Sequence, residues 1–426
     1  MNHPRLTRRS LLQRAAAASL LTTLPAWMPR LTFAAPQTAP RGDTLVVIFL
    51  RGAADVLNMI VPHGEERYYN RRPTLAIARP DDRTVETKLR TLDLDGFFGL
   101  HPALQPLVAA WQAKHLAIVH ACGAPDVSRS HFQAMELMER GVEKQSGPAS
   151  GWIGRHLATH PTGNLSPLRA VGFANPLPRS LRGPIPASAL KSIADFHLGG
   201  DQQSMVAMQQ ALSALYTNDP ALNHDDSLRQ IGQGTLDVMS LLGKLQPDSY
   251  RPSRGAIYPS SDFGKALQQI ALLIKAEAGL EVAAVDVGGW DTHFVQGGSQ
   301  GQMAKLLSDL GQGLAALHED LFDYAAKLSV VVMSEFGRRL QENGSFGTDH
   351  GHGSAMLLVG GNVAGGKVHG RWPGLADEQL VGPGDLAVTT DYRNVLGELC
   401  FKRLGNTNLQ EVFPEYRVQI PGVFKA

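Results

Sequence analysis

Five short stretches of the 426-residue chain carry side chains able to hold a cation or attack an ester. The densest is Asp349-His350-Gly351-His352. One carboxylate and two imidazoles share four positions, and the glycine between the histidines lets both rings face one ion. Such a loop is a cation site, or it is a solvated turn with a satisfied histidine. Asp291-Thr292-His293 sets a carboxylate and an imidazole on alternate positions of an extended loop, so both face one side. The pair suits zinc, manganese or iron, and equally a turn aspartate with a surface histidine. Glu335, in Ser334-Glu335-Phe336-Gly337, is a ligand, a base, or the partner of Arg338 or Arg339. Ser128-Arg129-Ser130-His131 places hydroxyls beside an arginine at a predicted helix start, where anions are favoured. Ser130 there is an N-cap or a nucleophile. Asp55 and Asn58 are a ligand and its neighbour, or a turn aspartate and a cap.

Positioning such groups takes a rigid frame, and the chain alternates strand and helix patterns. Leu45–Leu50, Leu116–Val119, Glu281–Val287, Leu328–Met333 and Ala355–Val359 are short apolar, β-branched runs of the kind buried on both faces. Helical periods lie between them over 102–112, 130–141, 262–278 and 303–327. The alternation predicts an α/β fold with a mostly parallel central sheet flanked by helices. In such sheets ligands bind beyond the carboxyl ends of the strands. Four of the candidate stretches follow a predicted strand, and Asp349–His352 precedes one. Residues 174–260 break the pattern with Pro176, Pro178, Pro184 and Pro186 and then polar helices. They read as a cap or insertion in a single domain spanning 35–426.

The bulk numbers exclude some classes. Lys+Arg is 40 against Asp+Glu 39, with no basic segment, so a nucleic-acid partner is not expected. Cys122 and Cys400 read as two buried thiols or as a pair. Gly361–Lys367 matches P-loop spacing, but Val368 stands where the magnesium-binding hydroxyl belongs. There is no HExxH helix.

Residues 1–34 read as a twin-arginine signal. Arg8-Arg9 is followed by an apolar stretch from Ala15 to Leu24 and a small-residue cleavage site at Thr32-Phe33-Ala34. The stretch is too short for a permanent span. The expectation is a periplasmic or secreted protein, handled by the twin-arginine export machinery and not integral to the membrane.

The motifs Gly288–His293, Ser334–Arg338 and Gly347–Gly351, with Phe49–Gly52, Asp55, Asn58, Ser130–Phe132 and Asp391–Arg393, carry a resemblance. Over residues 44–405 the chain resembles a family of twin-arginine-exported bacterial proteins within the alkaline phosphatase-like, or sulfatase-like, superfamily. That resemblance implies a three-layer fold with divalent metals held by Asp and His at strand ends, the cation being zinc, manganese, calcium or magnesium. It implies Asp55 as the ligand after the first strand, Asp291 with His293 as one pair, and Asp349, His350 and His352 as the later cluster. Glu335 stands where the superfamily carries an Asp-His pair, and Phe336 replaces the histidine. Ser128 or Ser130 would be the nucleophile, beside His131, with Arg129 on a non-bridging oxygen. No Cys-x-Pro-x-Arg motif is present, so the modified cysteine of true sulfatases is lacking. The expected activity is metal-dependent hydrolysis of a phosphate, sulfate or related small anionic ester. The alternative is a catalytically inactive scaffold of the same fold that binds or assembles in the cell envelope.

Overall fold

Runs such as Leu45-Val46-Val47-Ile48-Phe49-Leu50 cannot form one-sided amphipathic elements, so they belong where both faces are covered. The computed structural model describes residues 43–193 and 247–425, with scattered positions between 208 and 245. The twin-arginine segment 1–34 and much of the 174–260 stretch lie outside the described residues.

The strands are β1 (Thr44–Leu50), β2 (Ile60–Val61), β3 (Leu92–Asp93), β4 (Gly99–Leu100), β5 (Leu116–Gly123), β6 (Ala170–Phe173) and β7 (Ser188–Ala189). They continue with β8 (Val282–Val287), β9 (Leu328–Met333), β10 (Arg338–Glu342), β11 (Thr348–His350), β12 (Ser354–Val359), β13 (Lys367–His369) and β14 (Thr390–Asp391). Nine form one sheet in the order β13-β5-β12-β9-β1-β8-β6-β7, with β14 also on β5. Its pairings are parallel except those of β12, which runs antiparallel to both β5 and β9. The α/β expectation of a mostly parallel sheet flanked by helices is therefore the observed architecture. The start of the 174–260 stretch supplies β7 at one sheet edge.

β1 shows how three layers are held. Val46, Ile48 and Leu50 pack on one face and Leu45, Val47 and Phe49 on the other. The first face is covered by the helices Asp262–Lys275 and Gln302–Asp320, through Leu267, Ile270, Leu310 and Leu314. The second is covered by the helices Trp152–Thr159 and Tyr392–Lys402, through Ile153, Leu157, Val395 and Leu399. Burying each such side chain stabilises by roughly 1.5–3 kcal/mol. The caps follow the sequence. Ser261 Oγ accepts from Gly264 N at 3.1 Å, and Asp391 accepts from Arg393 N at 2.8 Å. Cys122 and Cys400 are both buried free thiols.

The direction of β12 matters for function. β1, β5, β8 and β9 run the same way, so the loops that follow them share one edge of the sheet. β12 runs back, so the loop that precedes it reaches that same edge. A short antiparallel hairpin, β10 with β11, carries Asp349 and His350 there.

Candidate metal centre

The strand-end loops are held against one another by one side chain. Arg338 is fully buried and donates from Nε to Ala53 O at 2.6 Å, from Nη1 to Thr348 O at 2.8 Å, and from Nη2 to Gly52 O at 2.5 Å. Nη2 also reaches Asp291 Oδ1 at 2.6 Å. The loops after β1, after β8 and within the hairpin are thus tied to a single guanidinium. Gly52 adds close packing. Its φ is +118°, and a Cβ there would lie 2.5 Å from Asp291 N, so no larger residue fits.

Three histidines converge on Asp291 in this frame. His131 Nε2 lies 3.5 Å from Asp291 Oδ1, His293 Nε2 3.2 Å and His350 Nε2 3.3 Å. His293 Nε2 and His350 Nε2 face each other at 2.9 Å. Each opposite ring nitrogen has its own anchor. His131 Nδ1 is 2.8 Å from Glu335 Oε1, His293 Nδ1 3.2 Å from Asp349 Oδ1, and His350 Nδ1 3.0 Å from Arg129 O. A histidine whose Nδ1 is fixed by a carboxylate or carbonyl presents Nε2 as a ligand of defined direction.

The anchors are built in turn. Glu335 is fully buried, and its Oε1 also accepts from Gly52 N at 2.8 Å, while Ser334 Oγ donates to Oε2 at 2.9 Å. Asn343 Nδ2 donates to Asp349 Oδ1 and to His293 O, both at 3.0 Å. Phe336 stacks on the His131 ring, with centroids 5.1 Å apart. Ala53, Arg129, Val295 and Phe346 take left-handed backbone around the cluster, with φ between +45° and +58°. Such non-glycine conformations concentrate at functional sites.

Electrostatics and geometry fit a cation. Among the described residues, the ligand atoms of His131, Asp291 and His350 lie within 4.8 Å of one another. His131 Nε2 is buried and has no hydrogen-bond partner among the described residues. The Glu335 hydrogen bond and charge raise the His131 pKa against the pull of burial. Burial lowers that of His350, helped by the charges of His131 and Arg338. Burial acts to raise the Asp291 carboxyl, but the Arg338 hydrogen bond and charge, with His293 and His131, bring it below its ordinary value. The Asn343 hydrogen bond, against burial and with help from His293, does the same for Asp349.

The sequence candidates divide accordingly. Asp291, His293 and His350 face one another as the spacing predicts. His131, placed with the catalytic serines from sequence, stands among the ligand atoms instead, because its helix begins directly over the cluster. Glu335 and Asp349 orient histidines, and their nearest carboxylate oxygens are engaged in doing so. Asp55 stands apart. It is fully buried against Arg72 Nη1 at 2.5 Å and takes Gln296 Nε2 at 2.7 Å, so it neutralises an interior guanidinium. His352 is buried outside the convergent group, near Asp385 and Arg129. Ser128 and Ser130 are exposed, and Ser128 Oγ donates to Asp126 Oδ2 at 2.8 Å. Arg129 is drawn to Asp385 rather than left open to an anion. Sequence reasoning placed no role on Asn343 and saw Arg338 only as a partner for Glu335. Apart from Thr348, the partners of Arg338 lie 47 to 286 positions away, where nothing local marks them.

A family model described as "Protein of unknown function (DUF1501)" matches residues 43–398. No curated protein matches the chain. Among solved structures, alkaline phosphatase from the Antarctic bacterium TAB5 is similar at 8% identity with a TM-score of 0.29, over 76% of this chain and 91% of that one. A likeness so slight carries no argument about chemistry.

Proposed function

The chain belongs to the DUF1501 family, described as of unknown function, and from the geometry of its strand-end cluster we propose that it is an exported metal-dependent hydrolase of a phosphate, sulfate or related anionic ester. The carrying observation is the set of three anchored histidines whose Nε2 atoms converge on Asp291 Oδ1, one of them buried without a partner. His131, Asp291 and His350 would hold the cation, with His293 beside them. A donor set rich in imidazole favours zinc or manganese over calcium or magnesium. When bound, the cation supplies polarisation of an ester oxygen and a lowered pKa for an attacking hydroxyl.

The chain's own residues do the rest. Glu335 and Asp349 fix the tautomers of His131 and His293 by holding their Nδ1 atoms. Arg338 keeps Asp291 aimed inward. The loop 128–130 lies against the cluster, since Arg129 O receives His350 Nδ1. Ser128 is the nucleophile in this reading, and Asp126 is placed to accept its proton. The alkaline phosphatase-like assignment and twin-arginine export to the periplasm belong to the same proposal. They are supported by the motifs at the strand ends and by Arg8-Arg9 with its apolar run.

Elemental analysis of the purified protein tests the reading. Wild type is expected to carry stoichiometric metal, and Asp291→Ala with His350→Ala to carry almost none. Unchanged metal in that double variant sinks the site. Aryl phosphate, phosphodiester and aryl sulfate are then offered with added zinc or manganese.

A second reading has its own observation. No hydrogen bond among the described residues joins the Ser128 or Ser130 hydroxyl to the cluster, and Arg129 is held by Asp385. A cluster that binds metal yet turns over none of these esters marks a binding or assembly protein of the envelope.

A further inference from the structure

We propose that the rim of the cluster is an apolar subsite and that the substrate is an anionic ester bearing an aryl or similarly flat apolar group. The proposal rests on the hydrolase reading above. Thirteen large hydrophobic side chains are exposed among the described residues, and five fall within four positions of His131, His293 or His350. They are Val127 at 64%, Phe132 at 89%, Phe294 at 70%, Val295 at 71% and Phe346 at 58% exposure. Exposed apolar groups gathered at a polar site mark a binding surface, whereas scattered ones mark nothing.

These side chains are displayed by a fixed backbone. Val295 has φ +45° and Phe346 φ +57°, a region that a β-branched or bulky residue rarely occupies. The two segments are joined by Val295 N to Ser345 O and Gln296 N to Phe346 O, both at 2.9 Å. The same turn is held by Asn343, which also holds His293 and Asp349. The Phe294 ring sits 6.4 Å from the His293 ring, so the apolar rim is continuous with the cluster. A strained backbone that presents phenyl groups beside ligand histidines gains nothing for the folded chain alone.

The occupant follows from charge and size. Arg129 and Arg338 are committed to Asp385 and Asp291, and Arg339 lies between carboxylates, 3.8 Å from Asp349 and 3.7 Å from Asp385. Anion recognition therefore falls to the cluster, and what discriminates between substrates is the apolar rim. Five side chains offer less than the roughly 800 Å² per partner of a stable protein interface. A flat ring, which stacks on phenyl groups, is the occupant that such side chains favour.

Calorimetry on the metal-loaded protein tests this with phenylphosphonate and methylphosphonate. Wild type is expected to bind the phenyl compound at least about tenfold more tightly, as burial of one ring provides. In Phe294→Ser with Phe346→Ser the preference is expected to fall within about threefold. Should that pair not fold, Val295→Asn, which tolerates left-handed backbone, is read in the same way. Equal affinities in wild type, or a preference that survives the substitutions, overturns the subsite alone. A clear phenyl preference without turnover of phenyl phosphate upholds the subsite and overturns the hydrolase. Failure of both phosphonates to bind overturns both, and concentration-dependent dimerisation abolished by the substitutions shows a second copy as the occupant and overturns the subsite.

Discussion

His101 and His120 are held in the interior by backbone at both ring nitrogens, and the cluster histidines are not. His101 Nε2 meets Gly298 O at 3.0 Å while Nδ1 accepts from Ala103 N. His120 Nε2 meets Ile60 O at 3.2 Å while Nδ1 accepts from Ala121 N. Burial pushes both pKa values down to about 4, and each ring is a neutral polar spacer satisfied by backbone. His131, His293 and His350 use one nitrogen in the same way and turn the other toward a carboxylate and one another. The contrast lies in what the second nitrogen faces, backbone in the interior pair and other potential ligand atoms in the cluster, and sequence spacing alone does not report that.

Removing Arg338 breaks the frame that makes the contrast possible. Arg338→Met leaves three or more strand-end carbonyls and the Asp291 carboxylate without their donor. Breaking a buried charged network by deleting one partner costs about 3–5 kcal/mol. Urea unfolding is expected to show that loss, together with loss of bound metal. A change under about 1 kcal/mol would mean that the loops hold their places without the guanidinium.

The frame was far more legible than this fastening. Continuous apolar runs located β1, β8, β9 and β12 to within a residue at each end, and the first half of β5, because a strand buried on both faces admits little else. The direction of β12 was not legible, since an apolar run carries no sign of which way it pairs. That direction explains why Asp349–His352 precedes its strand when every other candidate follows one. The hairpin of β10 and β11 went unpredicted, as Arg338–Glu342 reads as a polar loop. Asp55 shows the limit for single residues. Its position after β1 fits a ligand, yet Arg72, seventeen residues on, needs a buried counter-charge and takes it. His131 shows the reverse, since helix-start chemistry suggested catalysis and the fold set the ring over Asp291.

Glu335→Gln sharpens the comparison by changing one anchor without moving it. The Gln Oε1 still accepts from Gly52 N and His131 Nδ1, and its amide still faces Ser334 Oγ. Only the negative charge behind His131 is lost. Metal affinity is expected to fall about 10–100-fold, the usual effect of losing a carboxylate that orients a ligand histidine. Unfolding free energy is expected to change by less than about 1 kcal/mol. Competition with a chelator reads the first and urea unfolding the second. An unchanged affinity shows that Glu335 is no more than a structural acceptor.

The smallest effect comes from the other class of histidine. Burial lowers His120 to about 4 in the folded protein, against about 6.5 for an unfolded histidine. Between those values the unfolded chain binds the extra proton, so stability falls as pH drops through that window and levels off below it. One such group contributes about 1.4 kcal/mol per pH unit. Between pH 7.5 and pH 5.0 the wild type is expected to lose about 2 kcal/mol through His120 alone, because only the part below 6.5 counts. His120→Gln, whatever its effect at neutral pH, is expected to lose that much less over the same interval. Urea unfolding at the two pH values gives both differences. Equal acid losses in the two proteins would place His120 in contact with water and remove it from the class of backbone-locked rings.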